Sequence, residues 1–562
     1  MHNRLIIILI FYLNVATTKA DAPEVCIDAL GCIEGIYEPG NEVERYAAFY
    51  GVPFAKPPIG ELRFKNPVPV EPWNGKLLAK EPHTECTQRN YLLTPLNTTG
   101  DEDCLYLNVY RPANSSDEKL PVLIYIHGGD FIFGTPNREF YGPEYFMDTN
   151  EVILVTIAYR LGPFGFLSSG DEHMTGNFGL KDQNLALKWV QSYISAFGGD
   201  PSRVTIFGHS SGGLSVHFHM LSPASQGLFR NAVPISGLAN TVWAQPIDQK
   251  AQAIQLATAA GIRNASNISS IELVNALRNL PAEQLMEAYD ALKTFISFRA
   301  TIEEASWPEP FLTTNVRNLL NSNPPETVPW IAVNTPTKGE GVSIAPRLAG
   351  NSSLQAEFNE NFDDLFKLLT NLPADESKEV NDVVERLVAE YMGGVRELNN
   401  DTLDGFLELL GDSCFMYPAY KAIADNVESS NGTIPEGYIL FNYRGPYSYS
   451  ERFTGSTKDF GTTHGDDSLY LFTSQVIAPD GYSKSSAEAA LVKRYVEIYV
   501  EFAKNGEVEV FNKIQPCTKA LFGKQGFCDY LSIVKEEEPF VVDNSWNTER
   551  MQLWEYVYKT FY

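Results

Sequence analysis

Ser210 stands in Gly208-His209-Ser210-Ser211-Gly212, between "RVTIF" and "LSVHFHML". The first run is β-branched and apolar, as in a buried strand, and the second reads as a helix. A serine at such a strand-to-helix turn is lifted out of the backbone as a nucleophile elbow. The flanking glycines, Gly208 and Gly212, lack the Cβ atoms that would strike the neighbouring strand and helix. The helix N-terminus behind the serine favours an oxygen that becomes negative. A serine hydroxyl is a poor nucleophile at neutral pH and needs a base. Eight histidines are available. His464, in "DFGTTHGDDSLYLF" with Gly461 and Gly465 on either side, lies in a loop able to reach a site from a strand end. His217 and His219, on the helix that leaves the turn, are expected to be structural. Glu340, between two glycines in "NTPTKGEGVSI", completes the order serine, acid, histidine. A carboxylate there would fix the imidazole tautomer and stabilise the imidazolium.

A second stretch raises a question. "HGGDFIFG", His127 to Gly134, follows the strand-like "PVLIYI". Paired glycines at a strand exit bring backbone N–H groups close to a bound group. An aspartate beside them is out of place if that group is an anion.

These residues need elements to hold them. Strand-like runs recur as "VLIYIHG", "VILVTIAY", "RVTIFG", "NAVPISG" and "YILFNY". Between the second and third lies "DQNLALKWVQSYISAF", with Leu185, Trp189 and Ile194 at roughly helical spacing and Gly198-Gly199 as its stop. Strands alternating with helices predict an α/β fold, a mostly parallel sheet covered by helices on both faces. The stretch from about Asp248 to Lys421 is more helical and irregular, and reads as capping insertions on one domain spanning 21–562.

The N-terminus reads as an address. Arg4, the apolar run Leu5 to Val15, and small residues ending at Ala20 form a secretory signal peptide, 1–20, too short to span a bilayer. No later run is apolar enough to anchor the chain in a membrane, so a secreted, extracellular protein is expected. A net charge of −27 argues against nucleic acid or anionic membrane as partner. Sequons at Asn97, Asn114, Asn264, Asn267, Asn351, Asn400 and Asn431 fit a glycosylated surface. The seven cysteines fall as Cys26/Cys32, Cys86/Cys104 and Cys517/Cys528, natural local disulfides in an oxidising compartment, with Cys414 expected to be a buried thiol. No motif speaks for a metal or organic cofactor, or for a particular oligomeric state.

The chain resembles the type-B carboxylesterases of the cholinesterase–carboxylesterase family, which have the α/β-hydrolase fold. The likeness spans nearly the whole mature chain. It rests on "GHSSGG", "GDEDCLYLNVYRP", "YGVPFAKPPIGELRF" and "AYRLGPFGFLSSGDEHMTGNFGLKDQNLALKWVQ". Within the family the chain looks most like insect juvenile hormone esterases and their relatives. Arg63-Phe64, Asp182-Gln183, Glu340 and the Gly461-x-x-His464-x-x-Asp467 spacing match that group. The resemblance implies a triad of Ser210, Glu340 and His464, and an oxyanion hole of the backbone N–H groups of Gly129, Asp130 and Ser211. Cys86–Cys104 matches the family's first disulfide loop. It also implies a small hydrophobic ester as substrate and an acyl-serine intermediate.

Three departures bear on function. His209 replaces the glutamine that juvenile hormone esterases usually carry, Ser211 replaces the usual alanine, and Asp130 stands where the family has glycine or alanine. The Cys86–Cys104 loop also lacks the tryptophan that holds choline. The expected activity is hydrolysis of neutral hydrophobic carboxylic esters. The alternatives are a juvenile hormone methyl-ester hydrolase and, from another class, a binding or scavenger protein on the same fold. What approaches "HGGDFIFG" would then be the oxygen of a tetrahedral intermediate, where one donor is worth about 10²–10³ in rate. Three dispositions are open to the Asp130 carboxyl. It can turn into solvent or a local hydrogen bond. It can be protonated by burial and donate. Or it can hold a water beside the modified serine, lowering esterase activity while supporting phosphate-triester turnover.

Overall fold

The computed structural model describes residues 22–92, 96–114, 118–244, 247–292, 298–321, 328–430, 436–514, 529–534 and 540–561. The expected signal peptide, Cys517, Cys528 and Asn431 lie outside the described residues. An eleven-stranded sheet organises the molecule. In chain order its strands are β1 (Ile36–Glu38), β2 (Tyr46–Pro53), β3 (Tyr106–Pro112), β4 (Leu120–Ile126), β5 (Ile153–Ile157) and β6 (Gly199–His209). They continue with β7 (Asn231–Ile235), β8 (Trp330–Asn334), β9 (Glu436–Phe441), β10 (Tyr530–Ile533) and β11 (Phe540–Asp543). Across the sheet the order is β11-β10-β9-β8-β7-β6-β4-β5-β3-β2-β1.

From β5 to β10 every neighbouring pair is parallel, and antiparallel strands close both ends. The five strand-like runs read from the sequence are β4, β5, β6, β7 and β9. Their near-continuous apolar character follows from burial on both faces: every residue of β5 and β7 is buried. Apolar clusters fill each face of the sheet, and a third lies under the capping helices. The helix α1 (Phe178–Tyr193) starts earlier than its apolar spacing indicates and ends in a tight turn, Ile194–Phe197, closed by Gly198 at φ 89°. Asp182 and Gln183 work inside it. Asp182 grips Arg160 through both carboxylate oxygens at 2.7 Å. Gln183 Nε2 donates to Ser215 Oγ at 3.1 Å.

The segment between β7 and β9 is helical, except that β8 returns to the main sheet. Cys26–Cys32 and Cys86–Cys104 are disulfides, and Cys414 is a buried thiol beside Ser413 Oγ. Asn97, Asn114, Asn264, Asn267, Asn351 and Asn400 are all exposed. Among the described residues no helix is long and apolar enough to cross a membrane.

Candidate active site

β6 ends at His209 and α2 (Ser211–Leu221) begins two residues later, leaving Ser210 alone in the turn at φ 60°, ψ −123°. An L-residue holds that conformation only where its surroundings over-determine it. They do so here. Ser210 N–H donates to Ile235 C=O at 2.8 Å, and Ser210 C=O accepts from Leu214 N–H at 2.9 Å. α2 crosses the end of β4 so closely that a Cβ on Gly212 would lie 2.0 Å from Ile126 O. The glycine after the serine is therefore a packing requirement. His217 and His219 are buried on α2, as structural residues should be. His217 Nδ1 accepts from Ala239 N–H at 2.9 Å, and His219 bridges Ser225 Oγ and Gln183 Oε1.

Glu340 sits in α3 (Thr337–Ile344), fully buried. Its Oε1 accepts from Ser236 Oγ at 2.7 Å and Thr335 N–H at 2.8 Å, and Oε2 meets His464 Nδ1 at 2.6 Å. With Nδ1 committed to the carboxylate, Nε2 is the ring atom left for proton exchange. The glycine before Glu340 makes this meeting possible: a Cβ on Gly339 would lie 1.9 Å from Thr462 O, and Gly339 C=O accepts from His464 N–H. Asp466 then locks the histidine loop by accepting from Thr463 N–H, Tyr449 N–H and Ser448 Oγ, each at 2.8 Å.

His209, Ser210's neighbour, lays its ring 4.4 Å from that of His464. Burial, then the adjacent His464, holds the His209 imidazole well below its ordinary value, so it stays neutral. Asp467 is fully buried too. Burial first, and then the Glu340 and Asp466 charges, push its carboxyl up to about 8, which keeps a further negative charge away from the Glu340–His464 pair at neutral pH. Ser210 Oγ makes no hydrogen bond to the described residues. In hydrolases this bond is often long before substrate is in place.

The third part is the loop after β4. Gly129, Asp130 and Phe131 have φ of 112°, 54° and 60°. Ile132 N–H and Phe133 N–H both turn back to Gly129 C=O. Gln88, from the Cys86–Cys104 loop, pins the far end at Gly134, accepting from its N–H at 2.7 Å and donating to its C=O at 2.8 Å. Among the described residues the N–H groups of Gly129, Asp130 and Ser211 meet no acceptor. Successive unengaged amides of this kind form a nest suited to an anion.

The Asp130 side chain is reached by solvent and makes no hydrogen bond among the described residues, so it is not folded into a local one. Protein nevertheless crowds it closely. Desolvation pushes its carboxyl up to about 7, against the pull of the Arg299 guanidinium.

One feature of the surroundings was not legible in the sequence. The Phe415 ring lies 5.0 Å from His464, and Phe453 lies 6.2 Å away, giving the imidazole an apolar wall. Phe415 is delivered by a π-helical turn, Asp412–Met416, a device that re-aims side chains and leaves no periodic signal.

Known proteins share this architecture. Residues 21–554 match the model of the carboxylesterase family. Juvenile hormone esterase of Tribolium castaneum is 38% identical over 459 residues, 79% of this chain and 77% of that protein. A carboxylic ester hydrolase of Bombus ignitus is 36% identical over 481 residues, 84% of each chain. The crystal structure of juvenile hormone esterase from Manduca sexta, with OTFP covalently attached, superposes with a TM-score of 0.81 at 26% identity, covering 96% of this chain and 100% of that one. The α/β-hydrolase architecture, the family match along the chain and these relatives converge: the chain belongs to the carboxylesterase family and is a carboxylic ester hydrolase.

Proposed function

We propose that the chain is a secreted serine esterase whose mature part, 21–562, acts as one catalytic unit. Ser210 attacks the ester carbonyl. His464 takes the hydroxyl proton at Nε2 and delivers it to the leaving alcohol, while Glu340 orients the ring and stabilises the imidazolium. The N–H groups of Gly129, Asp130 and Ser211 hold the oxyanion, and water, deprotonated by His464, releases the acid from the acyl-serine. The observation that carries this reading is the buried 2.6 Å contact between His464 Nδ1 and Glu340 Oε2, with His464 packed against the residue preceding the strained Ser210. Two disulfides and six exposed sequon asparagines support passage through an oxidising, glycosylating compartment.

The substrate class proposed is neutral hydrophobic carboxylic esters. Support comes from the apolar wall of Phe415 and Phe453 at His464, and from the absence of tryptophan in the Cys86–Cys104 loop. A second reading, hydrolysis of the juvenile hormone methyl ester, is favoured by the names of the Tribolium and Manduca relatives. Side-by-side kcat/KM values for short aliphatic esters, long aliphatic esters and juvenile hormone separate the two. Broad activity, with aliphatic esters within about tenfold of the hormone, is expected. A preference for the hormone of about 10³ or more, larger than loose hydrophobic contacts supply, would establish the second reading. No turnover of any ester would favour the binding or scavenger alternative.

Asp130 gives this proposal a pH signature. Its carboxyl, raised to about 7, is neutral below that pH and ionised above it. Only the ionised form places negative charge beside the developing oxyanion. Asp130→Gly is therefore expected to leave kcat near wild type at about pH 6 and to raise it about tenfold at about pH 8, on the scale of single changes in such holes. The check is kcat against pH for both proteins. Parallel profiles would mean that the carboxylate does not reach the oxyanion.

A further inference from the structure

The three hole amides come from two separate pieces of chain, so something must keep those pieces in register. We infer that the Ser211 hydroxyl is a positioning group for the oxyanion hole, holding the Gly129–Phe131 loop against the elbow. Ser211 is buried and the first residue of α2. Its Oγ accepts from Phe131 N–H at 3.2 Å, a bond between residues 80 apart in sequence. The Tyr159 phenol lies beside the same hydroxyl and donates to His127 C=O at 2.8 Å. The stretch that supplies two of the amides is thus held before Gly128 and after Asp130.

The loop needs such restraint. Asp130 and Phe131 sit consecutively in the left-handed region, where a Cβ meets the neighbouring carbonyl oxygen. A segment strained in this way relaxes unless outside contacts over-determine it. Phe131 C=O accepts from Gly162 N–H at 2.7 Å, and its ring packs 4.5 Å from Phe166, which anchors the outer side. Among the described residues, the bond to Ser211 Oγ ties Phe131 directly to the elbow, beside the Tyr159 bond to His127. Ser211 therefore serves twice: its amide is one donor, and its hydroxyl sets where the other two lie. An aspartate at 130 makes this dependence stronger, because glycine there would adopt the same φ without strain.

The inference rests on reading these amides as oxyanion donors, and the test separates the two. Ser211→Ala removes the hydroxyl and keeps the N–H. The probe is a reversible trifluoromethyl ketone. Ser210 Oγ bonds to its carbonyl carbon, the hydroxyl proton goes to His464, and the carbonyl oxygen becomes an oxyanion. Ser211→Ala is expected to lower kcat about tenfold with KM within about twofold, and to weaken ketone binding about tenfold in parallel, less than the loss of a whole donor. Tyr159→Phe is expected to lower kcat by about threefold, since one of the two restraints remains. On an Asp130→Gly background, the Ser211→Ala loss should shrink to about twofold, because glycine at 130 relieves the strain that the Ser211 bond opposes, and changes that share one backbone segment are not additive. Wild-type kcat and ketone affinity in Ser211→Ala would overturn the inference. So would an equal loss on both backgrounds accompanied by a lowered Tm, which is the mark of a merely structural contact. Failure of the wild type to form the ketone adduct on Ser210, read by mass, would instead overturn the underlying site.

Discussion

Ser210→Ala is expected to lose ester hydrolysis by about 10⁴–10⁶-fold while the protein keeps its fold, since removing the nucleophile costs nearly everything the triad supplies. The change deletes one oxygen that bonds to none of the described residues. The backbone contacts that hold the turn, Ser210 N–H to Ile235 C=O and Leu214 N–H to Ser210 C=O, are indifferent to the side chain. Tm should therefore stay near that of the wild type, and the amides of the hole should leave a small residual rate over water. Purified Ser210→Ala protein with substantial turnover would contradict the assignment.

Glu340→Gln is expected to lower kcat about 10⁴-fold with little change in KM, the scale found when a triad acid becomes an amide. Wild-type Oε1 is occupied by Ser236 Oγ and Thr335 N–H, both donors, so a glutamine places its carbonyl oxygen there. Its NH₂ then faces His464 Nδ1. That nitrogen must become an acceptor, and the ring proton moves to Nε2, the atom needed to receive the Ser210 proton. The defect is a tautomer, not a cavity, so kcat falls while substrate binding and Tm hold. The check is kcat and KM measured beside thermal unfolding. Loss of activity in step with loss of Tm would mean that Glu340 serves only to hold α3 in place.

How much of this was legible in the sequence follows from which contacts are local. Ser210 was readable because its strand, turn and helix are contiguous, and the five apolar strands because parallel strands are buried on both faces. β2 and β3 were not read as strands. They lie at one of the sheet's two antiparallel ends, and tyrosine, asparagine and arginine break up their apolar runs. Glu340 was legible as a candidate from the order serine, acid, histidine, but the reason for its flanking glycines was not. They serve close packing, against Thr462 O and Leu407 O, and the segment is helical. The Asp130 question was visible as a residue out of place, but its answer needed the loop's φ values and the proximity of Arg299, 169 positions away in sequence. Neither the Phe415 wall nor the bond from Phe131 to Ser211 Oγ has a short-range signature, because each joins segments far apart in sequence.

The central claim is that Ser210 is the nucleophile of an acyl-enzyme mechanism, and the most direct measurement is peptide mapping after reaction with a fluorophosphonate. The serine oxygen should displace fluoride and carry the phosphonyl group. The expected result is that the wild type gains the label on the peptide containing Ser210 and loses esterase activity in proportion, while Ser210→Ala gains none. Label on another serine as activity disappears, or full esterase activity with Ser210 completely labelled, would contradict the account.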